Sequence, residues 1–309
     1  MSQDKFEPNY EGEANKEGEI AVDPKEIKVI PCQPDELFSA DDVKRLDVEH
    51  FGDEGFLLSD VMTKAECEHY ITQGERLGFE RIRGVSDDIR NSQRITLRDP
   101  ELADLLWNRL KGEVGDITIN GDPHEQHIHG MPFLIQGRWQ PVGLNDVFRL
   151  CRYLPGGHFA PHFDGFFVKS SKERSLKTFM IYLNSDFEEG STNFVDEAQI
   201  LYKNETGIYC AEEKNVQCRV HPAPGKAIIF NHHRLHEGQA IRGGKKYILR
   251  TDIMFKNIEA PPHSEEEEKA LQMVQEAERR EASGDCSTAM ELYRKAFKMS
   301  PAVEKYYQG

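Results

Sequence analysis

The period of the apolar positions changes three times along this chain, and each change predicts a different kind of structure. Residues 1–40 are acidic, interrupted by Gly and Pro, and poor in periodic apolar positions, which predicts a disordered tail. Order is expected from about residue 41, and its first clear pattern is "GFLLSDVMTKAECEHYITQGERLGFE". "FLL" predicts a short strand. Thr63 with Glu66 forms a capping box, and Cys67, Tyr70, Ile71 and Gly74 then follow helical spacing. Gly78 can end that helix. "DPELADLLWNRLKGEV" predicts a second helix with Pro100 in its first turn. From about 144 to 257 the pattern becomes short β-type runs separated by Gly, Asn and Asp: "DVFRLCRYL", "HFAPHFDGFF", "LKTFMIYLN", "STNFVD", "NVQCRVHPA", "GKAIIFNHH" and "KYILRTDIMF". Many short strands after a helical region predict an α+β domain over 41–257, a β-sandwich or jelly roll with helices packed outside.

Beyond 257 helical spacing returns. Residues 258–309 read as a Pro-rich acidic linker, "APPHSEEEE", and then two helices joined by a Gly-Asp turn. Ala270, Leu271, Val274 and Ala277 form one stripe, and Ala289, Leu292, Tyr293, Ala296 and Phe297 the other. With Pro301 after them, the positions resemble a single tetratricopeptide-type hairpin, and a plain helical hairpin fits equally well. Lone repeats bury their faces on neighbours, so this one is expected against the main domain or a protein partner.

Composition narrows the function classes. The 309 residues carry a formal net charge of −15, which disfavours non-specific binding to nucleic acid or an anionic membrane. No apolar run approaches the roughly 18 residues of a membrane span, and the N-terminus lacks the apolar region of a signal peptide. Six cysteines without a CxxC pair read as reduced thiols and predict a cytoplasmic or nuclear protein.

The chemistry concentrates in "RYLPGGHFAPHFDGFF", where His162 and Asp164 sit two apart in an apolar run. On a strand they share a face, so a core there must satisfy both groups. One imidazole and one carboxylate can ligate a divalent metal but need a third ligand. His236 in "FNHHRLHEG" is the best candidate, and two His with one carboxylate make the facial triad of non-haem iron oxygenases. A buried His-Asp hydrogen bond is the competing reading. His158 reads as a loop residue or a support for a ligand, and the absence of HExxH disfavours a zincin helix around His232, His233 and His236. Downstream, Lys246 and Arg250 lie four apart on one strand face. Either can grip a carboxylate, and both can be ordinary edge charges. Tyr153 and Tyr182 lie in apolar strands and suit a carboxylate pocket or a plain core.

With "FLLSDVMTKAECEHYI", "RYLPGGHFAPHFDGFF", "TFMIYLN", "GKAIIFNHHRLHEG" and "KYILRTDIMF" in this order, residues from about 50 to 257 resemble the iron(II)/2-oxoglutarate-dependent dioxygenases, and among them the prolyl 4-hydroxylase catalytic domains. The resemblance implies a double-stranded β-helix core and His162, Asp164 and His236 as iron ligands. It also implies Tyr182 and Tyr153 as contacts of 2-oxoglutarate. Arg250 is ranked first and Lys246 second for its far carboxylate. Fe(II), 2-oxoglutarate, O2 and ascorbate are the implied cofactors, a peptidyl proline in a protein the implied substrate, and succinate and CO2 the implied co-products. Two other classes remain: a non-catalytic binding module on a decayed oxygenase fold, and a cupin-like metalloenzyme without 2-oxoglutarate.

Overall fold

The computed structural model describes residues 27–48, 51–82, 84–129, 132–170, 172–259, 264–282 and 285–308. Its main strands, in chain order, are β1 (Gly55–Leu58), β2 (Gln93–Arg98), β3 (Gly137–Leu144), β4 (Val147–Tyr153), β5 (Phe159–His162) and β6 (Glu173–Tyr182). They continue as β7 (Thr192–Val195), β8 (Val216–Val220), β9 (Ala227–Asn231), β10 (His236–Gly238) and β11 (Lys246–Glu259). Two helices of more than two turns precede β3, α1 (Lys64–Leu77) and α2 (Pro100–Leu110), besides the short helix Gln126–His129.

The large sheet runs β1-β9-β6-β11-β4-β2, with β3 also paired to β11, and the small sheet runs β8-β7-β10-β5. From β4 onward the chain crosses repeatedly between them. β4, β6, β9 and β11 lie in the large sheet, and β5, β7, β8 and β10 in the small one. This alternation of antiparallel strands agrees with the jelly-roll expectation.

The apolar runs of the large-sheet strands are continuous because both faces are covered. Phe179, Ile181, Ile229 and Leu249 pack in the layer that includes Cys67 and Tyr70 of α1 and Leu102 and Leu106 of α2. Their alternates Met180, Tyr182, Ile228, Phe230 and Ile248 pack with Phe194 and Val220 of the small sheet. Side chains two apart share a face, so each strand feeds two layers. The functional residues emerge from the second layer, between the sheets.

The helix signals hold. Thr63 accepts from the Glu66 N–H while Glu66 accepts from the Thr63 N–H, and Gly78 ends α1 at φ 83°. Glu66 also receives both terminal nitrogens of Arg109, at 2.7 and 2.8 Å, which ties α1 to α2 through a buried bidentate pair. Replacing Glu66 by Ala strands the Arg109 charge, so an expected loss of about 3–5 kcal/mol follows. Urea unfolding checks it, and an unchanged midpoint would refute it.

Two expectations change. The disordered tail was placed over residues 1–40. Residues 1–26 lie outside the described residues, but residues 27–40 are held by the domain: Lys28 N–H donates to Thr96 O at 2.9 Å, Arg98 N–H donates to Lys28 O at 3.2 Å, and Ile30 is buried. Side-chain contacts join this pairing, Thr63 Oγ1 donating to Asp35 at 2.7 Å and Arg109 lying over the Phe38 ring at 3.6 Å, so the segment is held without any periodic pattern. In the C-terminal part, α3 (Glu265–Ala282) and α4 (Cys286–Met299) are followed by a third helix, α5 (Pro301–Gln308), beyond the two expected. Ala270, Val274, Ala296 and Val303 form their shared core. Gly284 of the expected turn lies outside the described residues, and Asp285 caps α4 by accepting from the Thr288 N–H. Among the described residues no helix is long and apolar enough to cross a membrane.

Candidate metal centre

His162 ends β5 and His236 opens β10, and these two strands pair antiparallel with His162 and His236 as direct partners. Cross-strand neighbours stand close enough for their side chains to meet, and the ring centroids are 4.2 Å apart. Asp164 falls just past the end of β5, so the expectation that it shares a strand with His162 needs correcting. The loop after β5 is held instead by the Asp164 N–H, which donates to His232 O at 3.0 Å. The result is a group of three ligand atoms lying within 4.8 Å of one another.

The geometry of the two imidazoles fixes their proton positions. His162 Nδ1 lies 2.8 Å from Ala160 O, and His236 Nδ1 lies 2.9 Å from Arg234 O. A carbonyl oxygen only accepts, so both Nδ1 atoms carry a proton and both Nε2 atoms are turned toward Asp164. Those Nε2 atoms are 3.5 Å from Asp164 Oδ1 and 3.7 Å from Asp164 Oδ2, respectively. Phe159 stacks on His162 at 3.5 Å and Phe230 meets His236 edge-on at 4.6 Å, so apolar rings back both ligands.

Asp164 is 2% exposed, and its Oδ1 has no hydrogen-bond donor. Arg250 Nη2 lies 3.0 Å from that oxygen and supplies charge without an aligned hydrogen bond. A buried carboxylate oxygen left this way, beside two imidazole Nε2 atoms, fits a divalent cation. Burial alone would raise the Asp164 carboxyl. The Arg250 charge, followed by His236 and His162, holds it well below the usual carboxylate range. Burial, with His162 beside it, pushes the His236 imidazole down to about 4. At neutral pH the triad therefore presents one carboxylate and a neutral His236, the forms that bind metal.

The cavity beside the triad is lined by residues of both sheets. Tyr153 and Lys246 are direct partners across β4 and β11, as are Arg149 and Arg250. Lys246 and Arg250 both line the cavity, four residues and so roughly 13 Å apart along the strand. Arg250 sits at the triad. Lys246 sits at the other end, where its Nζ donates to Gly190 O at 2.7 Å and lies 5.4 and 5.7 Å from the ring centroids of Tyr153 and Tyr182. Burial pushes the Lys246 ammonium down to about 7. Tyr182 donates to Thr192 Oγ1 at 2.7 Å, and burial raises its phenol.

His158 stays out of the triad: its Nε2 lies 3.1 Å from Asp88 O. His233 stacks on Phe163. Among the lining or supporting residues, the sequence reading gave no role to Arg90, Arg149, Thr178 and His232. Arg149 and Thr178 had a usable signal. Each lies four residues before a tyrosine already singled out, Tyr153 and Tyr182, and so on the same strand face.

Residues 148–251 match the family model described as the 2OG-Fe(II) oxygenase superfamily, a segment that holds the triad, both bases and both tyrosines. No curated protein matches the chain. Among solved structures, a viral collagen prolyl hydroxylase from Paramecium Bursaria Chlorella virus-1, in its 2OG complex, is 18% identical with a TM-score of 0.38, covering 65% of this chain and 96% of that one. A Pseudomonas putida prolyl-4-hydroxylase is 16% identical with a TM-score of 0.38, covering 65% and 91%. A Trichoplax adhaerens prolyl hydroxylase bound to a hypoxia inducible factor peptide fragment is 16% identical with a TM-score of 0.38, covering 65% and 83%.

Proposed function

We propose, with residues 148–251 forming a segment of the 2OG-Fe(II) oxygenase superfamily, that this protein is an iron- and 2-oxoglutarate-dependent dioxygenase that hydroxylates a C–H bond on a double-stranded β-helix core. The observation that carries it is the triad of His162, Asp164 and His236 around a buried, donorless carboxylate oxygen. In this reading His162, Asp164 and His236 would hold Fe(II). Bound iron with 2-oxoglutarate supplies the oxidising chemistry, and the cosubstrate leaves as succinate and CO2.

The chain's own residues orient and desolvate. Lys246 takes the far carboxylate, flanked by Tyr153 and Tyr182, because it is the lining cation set one strand repeat away from the triad. Arg250 was the first choice for that role on sequence. Its place 3.0 Å from Asp164 favours a different one, balancing the charge of the carboxylate ligand. Phe159 and Phe230 keep water from the ligand rings. The sequence resemblance supports a peptidyl proline as substrate, and the six free thiols support a reducing compartment.

Anaerobic absorbance tests the proposal. Adding Fe(II) and then 2-oxoglutarate should give a weak metal-to-ligand charge-transfer band that His236→Ala lacks. Iron binding without the band would point to a metalloenzyme that does not use 2-oxoglutarate. No iron binding would point to a binding module. A mass gain of one oxygen on candidate peptides then identifies the oxidised residue.

A further inference from the structure

Asp164 is held from behind by a buried chain of hydrogen bonds. Thr178 Oγ1 lies 2.6 Å from Asp164 Oδ2 and 3.0 Å from His232 Nδ1. His232 Nε2 lies 2.9 Å from Ser175 Oγ, which accepts from the Phe167 N–H at 2.8 Å. Ser175 and Thr178 are fully buried and His232 is 6% exposed. An ionised carboxylate can only accept, so the single Thr178 proton goes to Oδ2. Toward His232 the threonine oxygen can then only accept, so Nδ1 carries the imidazole proton. In a neutral ring Nε2 is left as an acceptor and takes the Ser175 proton. One proton arrangement therefore satisfies every member, and it runs in one direction, from Phe167 to Asp164. His232 also grips Asp164 a second time, since its carbonyl accepts the Asp164 N–H at 3.0 Å.

We propose that Thr178 and His232 are positioning residues for the metal: they commit Asp164 Oδ2 to the hydrogen-bond chain and leave Oδ1 as the ligating atom. This rests on the metal reading given under Proposed function. Oδ1 accepts no aligned hydrogen bond, although Arg250 Nη2 stands 3.0 Å away, and it lies 3.5 Å from His162 Nε2. A carboxylate free to rotate would offer the metal either oxygen and would lose orientation entropy on binding. One with Oδ2 engaged is set in advance, and partners of this kind govern metal affinity.

Two measurements on the full chain test the assignment. In the metal-free protein, nitrogen chemical shifts of the His232 ring should report the Nδ1–H tautomer, and an Nε2–H ring would overturn the chain's direction. With Mn(II) alone as the probe, read by electron paramagnetic resonance, Thr178→Val should weaken binding about 10- to 100-fold, while Thr178→Ser stays within about threefold of the parent. Thr178→Val should also shift the His232 ring signals, which a loss of packing would not do. Parent-like Mn(II) affinity in a folded Thr178→Val protein would overturn the proposal. Failure of the parent protein to bind Mn(II) would remove the metal reading, whereas the tautomer measurement still decides the hydrogen-bond chain by itself.

Discussion

Asp164→Ala should abolish both metal binding and turnover, and should destabilise the metal-free protein far more than His236→Ala does. The difference follows from what each side chain leaves behind. Asp164 and Arg250 are paired at 3.0 Å with side chains 1% and 8% exposed. Removing the carboxylate takes away the acidic group 3.0 Å from a buried guanidinium, while Asp252 lies at 3.9 Å. Breaking a buried pair from one side costs about 3–5 kcal/mol. His236 is neutral at pH 7, so its removal leaves only a void and an unmatched Arg234 carbonyl, within the ordinary range of about 0.5–3 kcal/mol. Urea unfolding of the metal-free variants reads the gap, and Mn(II) binding reads the site. In the double variant Asp164→Ala/Arg250→Met most of the stability should return and metal binding should not. Normal succinate release by Asp164→Ala would remove the triad as the catalytic centre. Equal stability of the two single variants would remove the role assigned to Arg250.

Much of this site was legible before any coordinates, and the reason is local. The strands that carry it are continuous apolar runs bounded by Gly, Asn and Asp, because both faces of the large sheet are covered. β2 and β3 escaped notice because polar residues such as Gln93, Arg94, Arg138 and Gln140 interrupt their pattern, while backbone pairing with β4 and β11 holds them in place. His162 and Asp164 could be read from spacing, and His236 was preferred over two neighbouring histidines because the apolar strand before them puts it at a strand end or turn. The choice between Lys246 and Arg250 lay beyond sequence. Both line the cavity, and the cross-strand register separates them: Lys246 stands opposite Tyr153 and Arg250 opposite Arg149 beside the triad. His232 illustrates the same limit. Its function comes from Ser175 and Thr178, 57 and 54 residues away, which no local pattern connects.

Lys246→Met should weaken 2-oxoglutarate binding by about 30-fold or more, as expected when one partner of a buried, hydrogen-bonded charge pair is truncated at a cost of 2–5 kcal/mol. It should leave Mn(II) affinity near that of the parent, because Lys246 stands at the opposite end of the cavity from the triad. The pH dependence of the parent protein gives an independent signature. Burial holds the Lys246 pKa near 7 in the free protein, and a bound carboxylate favours the charged form and raises it. Below pH 7 the lysine is already charged, so affinity should be flat. Above pH 7 the proton must be taken up on binding, so affinity should fall by up to tenfold per pH unit until the raised pKa of the complex is reached. Calorimetry at pH 8 in two buffers of different ionisation enthalpy should therefore show proton uptake by the parent and none by Lys246→Met. Arg250→Met should reverse the pattern, keeping the uptake while loosening the metal. If Arg250→Met instead loses the cosubstrate at full metal occupancy and Lys246→Met binds it normally, the anchor is Arg250 and the cosubstrate lies across the mouth of the cavity.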